Sequence, residues 1–263
     1  MWPTPAYFYY QMHLAGSPVS PSGWTEDCCL EAKYTIDYSI IVPVYNGSRS
    51  LEILCTKTTA ALENFSIEII LVDDASTDES WEVIQQLKNK FHCIIPLQNR
   101  KNKGQCASLL IGFAYSSGQF IITLDDDLQF DPIDILHLVE RQKQTNACIV
   151  YGLPVKAQQS WVRNSFSRIV KKTAGYAGYP SKGSSFRLLK KEVMAKAAIR
   201  LNQKNVLLDL AFYRAGYQIE FVPLPHYKRK HGKSGYTFFK LVRLMVNSVA
   251  EHTRNVFLKQ QRK

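Results

Sequence analysis

The chain alternates between short apolar, β-branched blocks and stretches whose apolar positions recur three or four residues apart. YSIIVPVYN, residues 38–46, is unbroken in its apolar character until its turn residues, the pattern of a strand buried on both faces. In SRSLEILCTKTTAALENF, residues 48–65, Leu51, Leu54, Thr58 and Leu62 mark one helical stripe, with Ser48 or Ser50 placed to cap it. IEIILVDDAS (67–76) reads as a second buried strand. TDESWEVIQQLKNKF (77–91) reads as a helix capped by Thr77 or Asp78, with Glu79 and Glu82 in its first turn. CIIPLQN (93–99), GQCASLLIGFAYSSG (104–118) and QFIITLDDD (119–127) continue as strand, helix closed by Gly118, and strand.

The rhythm then loosens. PIDILHLVERQKQ is a helix with Pro132 in its first turn, ACIVYGLPV a strand, and SWVRNSFSRIVKKTAGY a basic helix. GSSFRLLKKEVMAKAAI supplies a strand and a helix, VLLDLAFYRAGY a helix ending near Gly216, and QIEFVPLPHY a final strand. A basic loop, KRKHGKSGY, leads into a terminal amphipathic helix, residues 237–260. Strands alternating with helices imply βαβ units and an α/β fold with a mostly parallel sheet. Ligands of such sheets bind beyond the carboxyl ends of the strands, and the polar clusters YNGS, DDAS, QNRKNKG and DDDLQ all fall there.

Charge sharpens this picture. Residues 1–150 carry 10 Lys and Arg against 18 Asp and Glu, a net of −8, whereas residues 151–263 carry 23 against 4, a net of +19. An acidic half suits a cation, and a basic half suits phosphates on a ligand, a nucleic acid or a membrane surface. The acids concentrate at Asp125, Asp126 and Asp127. Side chains alternate along a strand, so Asp125 and Asp127 share a side and Asp126 points elsewhere. Two carboxylates with no basic neighbour in sequence suit Mg²⁺ or Mn²⁺, ions that complete their shells with substrate phosphate and water.

Length and composition exclude little else. At 263 residues with 46% hydrophobic content, the chain has enough material for a sizeable core. No apolar run reaches the ~18 residues that span a bilayer, and the N-terminus lacks the basic start of a secretory signal. The expected layout is an extension over residues 1–34, a catalytic domain over 35–230, and the basic loop with the amphipathic helix over 231–263. The six cysteines form no C-x-x-C pair and read as reduced thiols of a cytosolic protein.

In order and spacing, SIIVPVYN, EIILVDDASTDES, NKGQCASLLIGFAYSSGQFIITLDDDLQFDP and GSSFRLLKKEV resemble the family 2 glycosyltransferases of GT-A fold. The nearest likeness is to the polyprenyl-phosphate, dolichol-phosphate mannose synthase-like branch, over roughly residues 38 to 245. The resemblance implies a Rossmann-like domain and a nucleotide-sugar donor, with Pro43, Tyr45 and Asp74 near the nucleoside and Lys103, Asp126 and Gln129 also on the donor. It makes Asp125 and Asp127 the D-x-D element that binds the metal and the diphosphate. The family's middle residue is small and here it is Asp126, which leaves open which two acids bind the ion.

Departure of a diphosphate needs its growing charge stabilised, work for a metal and basic side chains. Arg187 and the cluster Arg229, Lys230 and Lys233 are candidates to close over phosphates, and His226 and His231 lie near or within that basic loop. The branch's R-x-x-G-x-S-K-Y loop has its counterpart at Arg229–Tyr236, with Gly235 where the family carries Lys.

The expected activity is transfer of a sugar from a nucleotide sugar to a polyprenyl-phosphate-type lipid, metal-dependent and inverting. An alternative is transfer to a hydroxyl of a sugar or glycan, with Asp209 as general base. A second alternative is a non-catalytic module that binds nucleotides or nucleic acid, although no nucleic-acid motif is present. The terminal helix suits an anionic membrane surface at the cytoplasmic face, or packing on the domain or within a homodimer.

Overall fold

The computed structural model describes residues 36–155, 183–201, 208, 209, 212 and 215–229. The 1–34 extension, the basic helix at 160–176, Lys230, Lys233 and the terminal amphipathic helix lie outside the described residues. In chain order the elements are β1 (Tyr38–Val44), α1 (Ser48–Ala61), β2 (Ile67–Asp73), α2 (Ser80–Lys90), β3 (Ile94–Gln98) and α3 (Gln105–Ala114). There follow β4 (Phe120–Thr123), a 3₁₀ turn (Pro132–Asp134) running into α4 (Ile135–Thr145), β5 (Ile149–Pro154), β6 (Arg187–Lys190), α5 (Lys191–Leu201) and β7 (Ile219–Leu224).

The strands form one sheet in the order β3-β2-β1-β4-β6-β5-β7. β1 to β4 are mutually parallel, β5 and β7 are parallel, and β6 runs antiparallel between β4 and β5. This is the mostly parallel α/β sheet that the alternating pattern predicts. The antiparallel β6 brings its first residue, Arg187, opposite Thr123 at the carboxyl end of β4. The ends of β1 to β5 and β7 and the start of β6 therefore share one edge.

Pleat alternation divides the core between two faces. Ile40, Val42, Val44, Ile69 and Leu71 pack with Leu51 and Leu54 of α1, Ile84 of α2 and Leu138 of α4. Ile41, Ile70, Val72 and Ile121 pack on the other side with Leu109 and Phe113 of α3, Val193 of α5 and Phe212. Burial of both faces explains why β1 and β2 are apolar without interruption.

Proline in an interior strand is unusual because it removes a ladder donor. In β1 the Ile41 carbonyl accepts from Leu124 and the Val44 carbonyl from Asp74, so alternate residues face β4 and β2. Pro43, two residues beyond Ile41, faces the β4 side past the last paired residues, Ile41 and Thr123, so its missing N–H removes no bond of the β1–β4 ladder.

Several local expectations change. The first residue before α1 is Gly47, with no side-chain cap, and Ser50 Oγ instead donates to the Gly47 carbonyl at 2.9 Å. Thr77 does not cap α2, whereas the Asp78 carboxylate accepts from Ser80 N at 3.0 Å and from Ser48 N at 3.3 Å. One carboxylate thus serves two helix N-termini. Burial works against its charge, but the Ser80 and Ser48 bonds outweigh that and hold its pKa below the ordinary value.

Helix α3 ends at Ala114, not at Gly118. Gly118 packs instead against β1, where a Cβ would lie 2.6 Å from Ser39 N. Gly118→Ala is expected to cost about 1–3 kcal/mol through overpacking against backbone that cannot yield, read as a lower thermal midpoint.

Candidate active site

The three acids lie beyond the end of β4, in the turn that follows it, rather than on the strand. The turn still separates them. Asp125 and Asp127 line one cavity with Leu124, Gln129, Pro154, Ser185 and His226, whereas Asp126 is absent from its walls. Asp126 turns toward the β1–α1 loop, where its Oδ2 accepts from Tyr45 N at 3.1 Å. Gly47 lies so close that a Cβ there would sit 2.4 Å from the same oxygen. Ser50 Oγ reaches the Asp126 carbonyl as an alternative acceptor to the Gly47 carbonyl, a further tie between the two turns. Burial above all, with Asp125 and Asp127 adding repulsion, pushes the Asp126 carboxyl up to about 7.

Asp125 is held at both oxygens. Gln105 Nε2 donates to Oδ1 at 2.6 Å, and Ser185 Oγ donates to Oδ2. Burial raises its pKa, opposed by the Ser185 bond and reinforced by the charge of Asp127. Gln105 opens α3 directly after Gly104, whose φ of 88° is the left-handed region that glycine tolerates.

Asp127 is the most enclosed of the lining acids, its side chain only 5% exposed. Its Oδ1 accepts from Gln129 N at 3.0 Å, while Oδ2 accepts from Arg229 Nε at 3.0 Å and Nη2 at 2.6 Å. The Gln129 carbonyl accepts from Tyr227 N at 2.8 Å, which fastens the segment carrying Arg229 to the acidic turn. His226 stands against Phe130, ring centroids 4.9 Å apart.

The cavity passes a chemical test for a hard divalent cation. It presents two carboxylates and a guanidinium already resting on one of them, so a positive charge is accommodated there. Among the described residues no group of three or more His, Cys, Asp or Glu forms a closed ligand set. Two carboxylates leave most of an octahedral shell for phosphate oxygens and water, the arrangement Mg²⁺ favours.

The other sequence candidates divide. Tyr45 sits exposed at the end of β1 and Pro43 is buried within it. Asp74 offers no open carboxylate: it accepts from Lys103 N at 2.8 Å, Gly104 N at 2.7 Å and Asn99 Nδ2 at 2.9 Å. Its placement is that of a latch on the loop after β3. Lys103 contributes its backbone to that latch, and its side chain is exposed.

Arg187, expected to close over phosphates, lies inside the core at 4% exposure and not at the cavity wall. Its Nη1 pairs with Asp209 Oδ1, which also accepts from Tyr151 OH at 2.9 Å, and its guanidinium carbon lies 5.5 Å from the Phe212 ring centroid. Burial disfavours the Arg187 charge, but Asp209 and Tyr151 more than compensate and raise its pKa. Burial, then Asp209, pushes the Tyr151 phenol up, so it stays a donor. Gln105, Ser185 and Tyr151 were missed by sequence reasoning. Only the polar residue opening a helix after NKG and the second serine of GSSF offered a signal.

The sequence model described as Glycosyl transferase family 2 matches residues 39–214. The undecaprenyl-phosphate 4-deoxy-4-formamido-L-arabinose transferase of Edwardsiella ictaluri is 32% identical over 219 residues, which cover 80% of this chain and 66% of that protein. The chain thus spans just under two thirds of that relative's length. Among solved structures, the mannosyltransferase PcManGT of Pyrobaculum calidifontis, in complex with GDP-Man and Mn²⁺, superposes with a TM-score of 0.59 at 16% identity, covering 95% of this chain and 71% of that one. The 1–349 segment of S. aureus TarS, in complex with UDP-GlcNAc, gives 0.53 at 17% identity, covering 81% and 66%. These structural likenesses establish a shared fold.

Proposed function

Because the chain belongs to glycosyl transferase family 2, we propose that it moves a sugar from a nucleotide-sugar donor to a polyprenyl-phosphate-type lipid, using Mg²⁺ or Mn²⁺ and inverting the anomeric carbon. The observation that carries the acceptor class is the engagement of Asp209 by Arg187 and Tyr151. A carboxylate committed to a buried guanidinium is a poor proton acceptor, and a phosphate monoester, already ionised, needs none. The name of the Edwardsiella relative and the +19 net charge of residues 151–263 support the same acceptor.

In this reading Asp127, with Asp125 beside it, holds the cation, and the cation supplies Lewis-acid stabilisation of charge on the departing diphosphate. Gln105 and Ser185 keep Asp125 from swinging. Asp126 ties the acidic turn to the Tyr45–Gly47 loop, so the nucleoside and diphosphate regions move together. Arg229 brings positive charge to the cavity, and Lys230 and Lys233 follow it closely in sequence. A lipid acceptor also calls for work at a membrane surface, taken here as the cytoplasmic face. Among the described residues no helix is long and apolar enough to cross a membrane.

One observation favours transfer to a hydroxyl. Asp209 Oδ2 lies beside Gly183, a cavity-lining residue, where a Cβ would come within 2.8 Å of it. The two readings separate when the protein is incubated with Mn²⁺ or Mg²⁺, a panel of UDP- and GDP-sugars, and either isoprenyl phosphate or a free sugar acceptor. Product on the phosphate alone is expected. Product on the hydroxyl alone would overturn the acceptor assignment.

A further inference from the structure

Asp127 Oδ2 already holds a cation of the protein's own making. Arg229 places Nε at 3.0 Å and Nη2 at 2.6 Å on that single oxygen, while Oδ1 is occupied by Gln129 N. The carboxylate side chain is 5% exposed and the arginine side chain 33% exposed. Asp127 is therefore the fixed partner and Arg229 the one with room to leave. The Tyr227 N bond to the Gln129 carbonyl pins the backbone two residues earlier, so the side chain moves on an anchored segment.

A divalent ion binds a carboxylate oxygen at about 2.0–2.1 Å. It would confront the guanidinium across the same atom, with like charges a few ångströms apart in a poorly solvated cavity. Both cannot stay.

We propose that Arg229 and the divalent cation exchange at Asp127 Oδ2, so that loading of the metal and nucleotide releases Arg229 to bind the acceptor phosphate. The inference rests on the site reading above and adds a competition between the guanidinium and the metal for one carboxylate oxygen. Before loading, Arg229 neutralises a buried carboxylate that would otherwise stand unpaired beside Asp125. After loading, the same guanidinium is a planar two-pronged donor suited to phosphate. The ion pair thus keeps the acceptor-binding group occupied until there is a donor to react with.

The test is Mn²⁺ affinity of the full chain without nucleotide, followed by the electron paramagnetic resonance of free Mn²⁺. Arg229→Ala is expected to bind Mn²⁺ about tenfold more tightly than the unaltered protein, the low end of what a close charge pair contributes. Arg229→Gln, which keeps most of the side-chain volume, should do the same and guards against misfolding of the alanine variant. Lys228→Ala removes the charge next to Arg229 in sequence and should shift affinity less than about twofold. In transfer assays Arg229→Ala should raise the KM for the phosphate acceptor, an effect opposite in sign to its gain in metal affinity.

Equal Mn²⁺ affinity in the Arg229 variants, or an equal gain in Lys228→Ala, would overturn the exchange. If the unaltered protein still transfers sugar in a metal-dependent way, only the exchange has failed. If no variant binds Mn²⁺ or a nucleoside diphosphate, the reading of the site has failed with it.

Discussion

Asp127→Asn should lower kcat by about 10²–10³-fold, the scale of removing one preorganised group that stabilises transition-state charge, and added Mn²⁺ should not restore it. The amide oxygen can still accept from Gln129 N, which holds the turn, but the neutral side chain binds a hard cation poorly. Asp126→Asn provides the contrast. Its oxygen needs only to accept from Tyr45 N, so turnover should fall less than about tenfold. Steady-state kinetics on the two variants, with thermal midpoints measured in parallel, check both. A loss at Asp126 as large as at Asp127 would mean that the turn rearranges to present a different pair of acids.

Asp209→Ala should destabilise the fold by about 3–5 kcal/mol, because it strands the Arg187 guanidinium in the core without a counter-charge. At about 2–4 °C per kcal/mol for a domain of this size, the thermal midpoint should drop by roughly 10 °C. Asp209→Asn is the discriminating variant. It can still accept from Tyr151 OH, so it should fold with a lowered midpoint and keep its turnover on a phosphate acceptor within a few-fold per folded molecule. A general base behaves in the reverse way, with turnover falling about 10²–10⁴-fold while the midpoint holds. Thermal unfolding and transfer rates on the same preparations separate the two roles.

The sheet was legible because burial on both faces writes itself as continuous Ile, Val and Leu in β1 and β2, and the helices because Leu51, Leu54 and Leu62 keep helical spacing. The place of β6 was not. GSSFRLL reads as a strand, but nothing in it announces an antiparallel partner for β4, and that pairing carries Ser185 to Asp125 and Arg187 to Asp209. Side-chain roles were harder than backbone roles for the same reason. The sequence displays Arg187 and Asp74 as charged residues near a ligand edge, whereas the structure spends one on Asp209 and the other on the Lys103–Gly104 amides. Which two acids face the cavity is decided by the turn after β4, where the Tyr45 amide and Gly47 draw Asp126 aside.

A crystal grown with Mn²⁺ and UDP or GDP, examined by anomalous scattering at the manganese edge, addresses the placement of the metal most directly. The expected result is a peak about 2.1–2.3 Å from an oxygen of Asp127, bridging to the diphosphate, with Arg229 turned away. A nucleotide bound with no metal at that carboxylate, or with Asp127 still clasped by Arg229, would contradict it.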